Sequence, residues 1–423
     1  MRIVLLTIDG LHIGYLGCYG NAWVGTPALD RLATESVVLD RLQIDSPQPQ
    51  LCWRSLWHGI HAMANPDERV ESQAPLPESW KATRGEVVLV TDEPELPGPA
   101  SAWGFEVLDA PPNVGAAGSA EDVSGTRMAA LFNRAIEQLA GSDEDVLLWM
   151  HSRGMQAEWD APMALRRQYV EDENDPDPPE WTQVPRLTLD ADFDPDELLG
   201  LRWAYAAQVN VFDRCLGAFW QTVERQGWDE ETLLVVLSTR GFPLGEHGVV
   251  GLSAPLHEEL VHVPCWIRMP NGDYQGERLA ALCQPGDVCA TLVDAAGLDG
   301  SEFAPHGQSL LAAMQGDPSM LPDRAGTIGW QRMQGSLGEF ALRTDYWYAR
   351  FPGATAAGGG NGLQSVQLYA KPDDRWEQNE VAALCPQEAT AMAAALAGFQ
   401  ADIAGAGRRD YAPLEACLRH RNR

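Results

Sequence analysis

Short, continuous apolar runs recur along this chain, separated by stretches of helical periodicity. Residues 3–8 (IVLLTI), 86–91 (EVVLVT), 146–151 (VLLWMH), 233–238 (LLVVLS) and 263–268 (VPCWIR) read as strands buried on both faces, and VVLDRLQI at 37–44 as another. Thr26-Pro27 predicts a helix start, with Thr26 as N-cap and Pro27 at the first helical position, running to about Glu35. Two further helices are expected over 127–140 and about 198–226, the second with Phe212, Leu216, Phe219 and Val223 on one stripe. Strands alternating with helices predict an α/β fold, a mainly parallel sheet sandwiched by helices. In such sheets function gathers in the loops after the C-terminal strand ends. Beyond about residue 325 the pattern changes to short strands (FALRT, YWYARF, SVQLYA) and a helix over 387–402. That reads as a small C-terminal α+β subdomain with an antiparallel sheet, giving a core domain at 1–324 and a subdomain at 325–423.

Charge narrows the partners. Thirty basic and 60 acidic side chains give a formal charge of −30 over 423 residues. Long-range repulsion opposes binding to nucleic acid or an anionic membrane, and no apolar run has the length of a membrane span. The eight cysteines show no CxxC pair and no Cys/His cluster, so reduced buried thiols are expected rather than structural zinc. MRIVLLTIDG enters a strand pattern directly, with no secretion signal ahead of it, and a cytoplasmic protein is the expectation.

The acidic, proline-rich stretch 171–197 predicts a surface excursion. Within it, Asp190-Ala-Asp192-Phe-Asp194 imitates a calcium loop, but Pro195 stands where the turn needs glycine and Leu201 where a bidentate glutamate belongs. AAGGGNG at 356–362 reads as a hairpin tip, and the basic end RHRNR as a solvated tail.

Several strand-end stretches together resemble the sulfatases of the alkaline phosphatase-like superfamily. TIDGLHIGYLGCYGNAWVGTPALDRLA is similar to their opening, MHSRGMQAEWDAP to their mid-chain histidine segment, and VVLSTRGFPLGEHGVVG to their "SDHG…GeHG" run. HEELVHVPCWIRMP, ATLVDAAGL with GQSLL, and LYAKPDDRWEQNEVA follow in family order. The resemblance implies three site components: a formylglycine nucleophile made from Cys or Ser, a calcium ion held by carboxylates, and Lys, His and Arg side chains that stabilise charge.

Against that pattern this sequence departs at nearly every chemical position. Aligning SPQPQLCWRSLWHG on Ser46-Pro47 and on Ser55-Leu56 with Gly59 puts Pro49 at the nucleophile position, Leu51 at the motif proline and Trp53 at the arginine. Cys52 and Arg54 are out of register. Of the metal ligands only Asp9 persists, with Gly10, Thr239 and Arg240 at the other positions, and Arg240 would bring a positive charge where the cation belongs. The mid-chain histidine is replaced by Gln156 and the lysine after GEHG by Leu252. The resulting expectation is a sulfatase-fold protein with a degenerate site, no bound calcium, and a binding, regulatory or assembly role. The alternative is an active metal-dependent ester hydrolase working through a non-standard site.

The residual candidates are Asp9, His151, Arg153, Arg240 and His247. Asp9 and Arg240 are expected either to pair at adjacent strand ends or to part, Arg240 reaching solvent and Asp9 capping a turn. His151, Arg153, Arg240 and His247 could form a pocket for a small anion, or the histidines could serve packing alone. Cys52 reads as a thiol activated by Arg54 or as an inert core residue.

Overall fold

The computed structural model describes residues 1–64, 74–109, 118–142, 145–251, 255–300, 306–316, 326–332, 338–354, 366–403 and 414–419. The chain divides into two compact units. The first comprises 1–39, 77–254 and 263–278, the second 40–76, 255–262 and 279–423. The sequence puts a single boundary at 325. The second unit instead gathers segments from three parts of the chain, which local periodicity does not reveal.

The first unit is organised by β1 (Arg2–Asp9), whose eight residues are all buried. After it come α1 (Pro27–Thr34), β2 (Val37–Gln43), which passes into the second unit, β3 (Glu86–Thr91), β4 (Glu106–Asp109), α2 (Arg127–Gly141) and β5 (Val146–Ser152). The 171–197 excursion carries β6 (Leu187–Thr188), which pairs antiparallel with a later two-residue strand. The 31-residue α3 (Pro195–Arg225), β7 (Thr232–Arg240), β8 (Val249–Val250) and β10 (Cys265–Arg268) follow, while β9 (His262–Val263) and β11 (Arg278–Cys283) straddle the boundaries between units. The strand path runs β2-β10-β7-β1-β5-β3-β4. Every pair from β7 to β4 is parallel, and β10 runs antiparallel to both β7 and β2. The expected mainly parallel sheet is therefore present, and the 263–268 run supplies its antiparallel member.

The core of this unit joins one face of the sheet to α2 and α3. Phe132 meets Phe212 and Phe219 at ring-centroid distances of 6.3 and 5.8 Å, which places the forecast stripe of α3 inside. Asp194, part of the calcium-loop imitation, is the N-cap of α3 and accepts from the amide of Asp196, so Pro195 opens a helix there.

In the second unit, β12 (Gly326–Arg332), β13 (Gly338–Arg343), β14 (Trp347–Ala354) and β15 (Gln367–Ala370) form an antiparallel sheet in chain order. Phe340, Leu342, Phe351 and Leu368 from the sheet pack with Met392 and Leu396 of the helix Pro386–Ile403. Residues 356–362 and Leu252, both singled out by sequence, lie outside the described residues, as does most of the basic end.

Candidate functional site

Parallel strands β5, β1 and β7 finish side by side, and the register aligns Ile8 with Ser238 and Asp9 with Arg240. Thr239 is thus one residue too many on β7, a bulge of the kind found where strands turn side chains toward a site. The Ser238 hydroxyl stitches it closed. It accepts from the Leu11 amide at 3.1 Å and has the carbonyls of Arg240 and Ile8 within 2.6 and 3.0 Å for its single hydrogen.

The bulge turns Arg240 onto Asp9. The guanidinium donates from Nε to Oδ1 and from Nη2 to Oδ2 of Asp9, each at 2.6 Å. The two side chains are 14% and 3% exposed, so both carboxylate oxygens are taken by a parallel fork at a site shielded from solvent. Of the two arrangements left open by sequence, the pair is the one formed.

Glycines let the backbone close round this pair. Gly10 has φ +83°, and Gly154 has φ +50°. A Cβ on Gly154 would lie 2.4 Å from Ile8 Cγ1 and 2.7 Å from the Asp9 carbonyl oxygen, so no side chain fits there.

His151 is buried on β5 with Nδ1 2.7 Å from the Thr7 hydroxyl, which also accepts from Trp149 Nε1 at 2.8 Å. Burial, assisted by Arg240, lowers the pKa of His151 to about 3, so the imidazole is neutral. Arg153 turns its amide to Asp92 Oδ1 (2.7 Å) and lies 3.6 Å from Glu93 Oε2 in an ion pair. Burial pushes Asp92 up to about 6. Gln156 ends a 3-10 turn, Gly154–Gln156, and is 8% exposed. Neither Oε1 nor Nε2 of its amide finds a hydrogen bond among the described residues, and Nε2 lies 3.1 Å from where a Gly10 Cβ would stand. The buried Thr239 hydroxyl is likewise unpartnered among them. His247 sits with φ +52° in the Glu246–Gly248 turn after β7.

In the second unit the stretch that opens with Ser46-Pro47 winds into a helix, Pro49–His58. Pro49 is its first helical residue, and Gly59 closes it with φ +66°. The nucleophile position is therefore the start of a helix and bears no reactive atom. Trp53 is 1% exposed on the buried face, and Cys52 is fully buried. Arg54 turns away to bond the carbonyls of His61, Ala62 and Ala64 at 3.2–3.3 Å.

The family model for sulfatases matches residues 2–298. The chain belongs to the sulfatase family. A 95-residue stretch is 32% identical to an N-acetylglucosamine-6-O-sulfatase of Bacteroides thetaiotaomicron, an alignment covering 22% of this chain and 17% of that protein. Among solved structures, the phosphonate monoester hydrolase of Agrobacterium radiobacter superposes with a TM-score of 0.73 at 18% identity, covering 95% of this chain and 96% of that one. A protein solved with its substrate D-glucosamine-2-N,6-O-disulfate gives 0.73 at 15% identity, covering 95% and 97%. Both show a shared fold with this sulfatase-family chain.

A sulfatase calcium ion does not fit the residues present. A hard cation of this kind takes about six to eight oxygens. Here both oxygens of Asp9 are spent on Arg240, Gly10 has no side chain, and the Thr239 hydroxyl is uncharged. Asp9 and Arg240 meet because adjacent parallel strands align their ends. Sequence reasoning missed the support: Thr7 beneath His151, Asp92 beneath Arg153, and the bulge at Thr239. The only signal for these was their position at or next to a strand end.

Proposed function

We propose that this member of the sulfatase family is a non-catalytic binding or regulatory protein. The observation that carries the reading is the bidentate Arg240–Asp9 pair, which puts a fixed guanidinium where the family would hold its metal. Pro49, Trp53, Gln156 and Leu252 at the nucleophile, arginine, histidine and lysine positions point the same way. The pair also argues against an anion at the strand ends, since Asp9 meets the charge of Arg240 and His151 is neutral. What this site offers is the amide of Gln156, an NH2 group that donates and a carbonyl oxygen that accepts, suited to water or to a small neutral hydrogen-bonding ligand.

The test is metal analysis of the purified protein combined with turnover assays. Aryl sulfate, aryl phosphate, an aryl phosphonate monoester and N-acetylglucosamine 6-sulfate make the panel, because the relatives named above include a sugar sulfatase and a phosphonate hydrolase. The expected result is no stoichiometric divalent metal and no turnover above an Asp9→Ala control. Metal-dependent turnover that Asp9→Ala abolishes would establish the active-hydrolase alternative.

A further inference from the structure

A groove elsewhere on the first unit has features that the strand-end site lacks. Its volume is about 330 Å³, and Trp23, Gln168, Tyr169, Glu171, Asp213 and Arg214 are among its lining residues. Neither Asp9, His151, Gln156 nor Arg240 takes part in it. An adjoining, more apolar groove of about 440 Å³ shares Asp213 and Arg214, so Arg214 stands at the junction of the two.

The walls are held by hydrogen bonds and the binding groups are exposed. Trp23 is 39% exposed, one of few large apolar side chains left in solvent. Its loop is clamped by Asn21, whose Oδ1 accepts from the amides of Trp23 (2.8 Å) and Val24 (2.7 Å) while Nδ2 donates to the Gly14 carbonyl (2.6 Å). The indole rests on Tyr169 at a centroid distance of 4.8 Å and an interplanar angle of 49°. Below, Asn210 accepts from the Tyr169 hydroxyl (2.6 Å) and from Gln168, and donates to the Gly25 carbonyl (2.8 Å). Asp213 is turned inward to the Leu29 amide at the start of α1 (2.9 Å).

The exposed guanidinium of Arg214 has no hydrogen bond or ion pair among the described residues, and the exposed carboxylate of Glu171 has none either. Arg214 draws the Asp213 carboxyl down against the upward push of burial, but Asp213 turns Oδ1 inward to the Leu29 amide and leaves the guanidinium open toward the groove for a ligand anion. An aromatic face bordered by a guanidinium, a carboxylate and an amide suits a flat ring with one apolar face and hydroxyls round its edge. The planar polar groups can each bridge neighbouring oxygens, and the indole covers the C–H face. The volume lies at the small end of the range for small-molecule sites, about 300–1,000 Å³.

We propose that this groove is a saccharide-binding site for a pyranose carrying an anionic substituent. The ring stacks on Trp23, the anion pairs with Arg214, and Glu171 and Gln168 take hydroxyls. The site stands apart from the strand ends and does not depend on whether they retain chemistry.

Saturation-transfer NMR and titration calorimetry on the full chain test it, with glucuronate, glucose and benzoate as probes. Glucuronate is expected to bind saturably and at least about tenfold more tightly than glucose. Benzoate, which has the charge without the hydroxyls, is expected to bind more weakly than glucuronate. Arg214→Gln should remove the preference for glucuronate and leave glucose binding in place. Trp23→Ala should abolish both, and Trp23→Phe should restore part of each, with melting temperature reporting that the variants fold. Absence of saturable sugar binding, benzoate matching glucuronate, or binding that survives both Trp23→Ala and Arg214→Gln would each overturn the proposal.

Discussion

Asp9 and Arg240 are held so deeply that neither can be removed without stranding the other. Breaking a buried ion pair from one side typically costs about 3–5 kcal/mol, because an uncompensated charge remains. Arg240→Ala and Asp9→Ala should each lower unfolding free energy by roughly that amount, while the double variant should lose far less than the sum. Urea denaturation of the three variants measures the coupling directly. Asp45, in the second unit, is a different case. It is 1% exposed, accepts from the Ser55 hydroxyl at 2.5 Å and the Ala62 amide at 2.8 Å, and leaves Oδ1 without a partner among the described residues. Burial raises its pKa from the ordinary carboxylate value of 3.8 to about 6. Between those values the folded state binds more protons than the unfolded one, so this group makes stability fall as pH rises through the window. Asp45→Asn should raise the melting temperature at pH 8 and change it little at pH 4. At this scale sequence was a partial guide. The strand pattern put Asp9 and Arg240 at adjacent strand ends without deciding whether they pair, and whether a buried polar atom finds a partner depends on three-dimensional neighbours, so Asp45 and the unpartnered amide of Gln156 were not legible.

Elements were more legible than side-chain contacts because they are written in periodicity. The buried strands, the α3 stripe and three of the four strands of the antiparallel sheet follow from patterns of apolar residues within a few positions of each other. The helix Pro49–His58 shows where that reading falls short. Pro49 at its first turn and Gly59 just past its end are ordinary helix punctuation, yet the motif-like spacing of the stretch drew attention to its letters instead. The Gly154–Gln156 turn is the element on which the strand-end site is most sensitive. Gly154→Ala would add strain at φ +50° and drive a methyl into Ile8 and the Asp9 carbonyl. A loss of at least about 2 kcal/mol is expected, visible as a drop in melting temperature, with Gly10→Ala showing a smaller effect because its nearest neighbours, at 3.0–3.4 Å, are side-chain atoms.

On the scale of the whole chain, the second unit is tied together by charges rather than by apolar contacts alone. Glu258 receives Arg343 Nε at 2.8 Å and Lys371 Nζ at 2.7 Å, Lys371 also reaches Glu377 at 3.0 Å, and Glu377 holds His257 Nδ1 at 2.5 Å. Glu339 and Arg350 close the network at 2.5 Å. Burial pushes Glu258 up, but Arg343 and Lys371 more than reverse this and hold its carboxyl down at about 2. This contribution is present above the unfolded pKa and lost as pH falls from about 4 toward 2. Lys371→Met would leave Glu258 with Arg343 alone and take from Glu377, whose carboxyl burial pushes up to about 8, the cation that draws it down; the loss should be about 3 kcal/mol by chemical denaturation at pH 7. These partners are drawn from residues 257 to 377, a spacing that no local pattern encodes, which is why the second unit could not be delimited from sequence. The formal charge of −30 adds a surface counterpart: raising salt from about 0.01 to about 0.2 M should raise the melting temperature by screening self-repulsion, while the buried pairs respond little.

The fork between Arg240 and Asp9 also makes this site hard to convert to metal binding. A chain acquiring a metal here would have to replace the arginine and supply several carboxylates together. Changing Arg240 alone abandons a buried negative charge, and adding an acid beside it first creates repulsion without a cation to relieve it. Each single step is downhill in foldedness before it can be uphill in chemistry. The pair therefore acts as a ratchet: once it forms, the short mutational paths toward metal binding lead through proteins that fold worse than either end point.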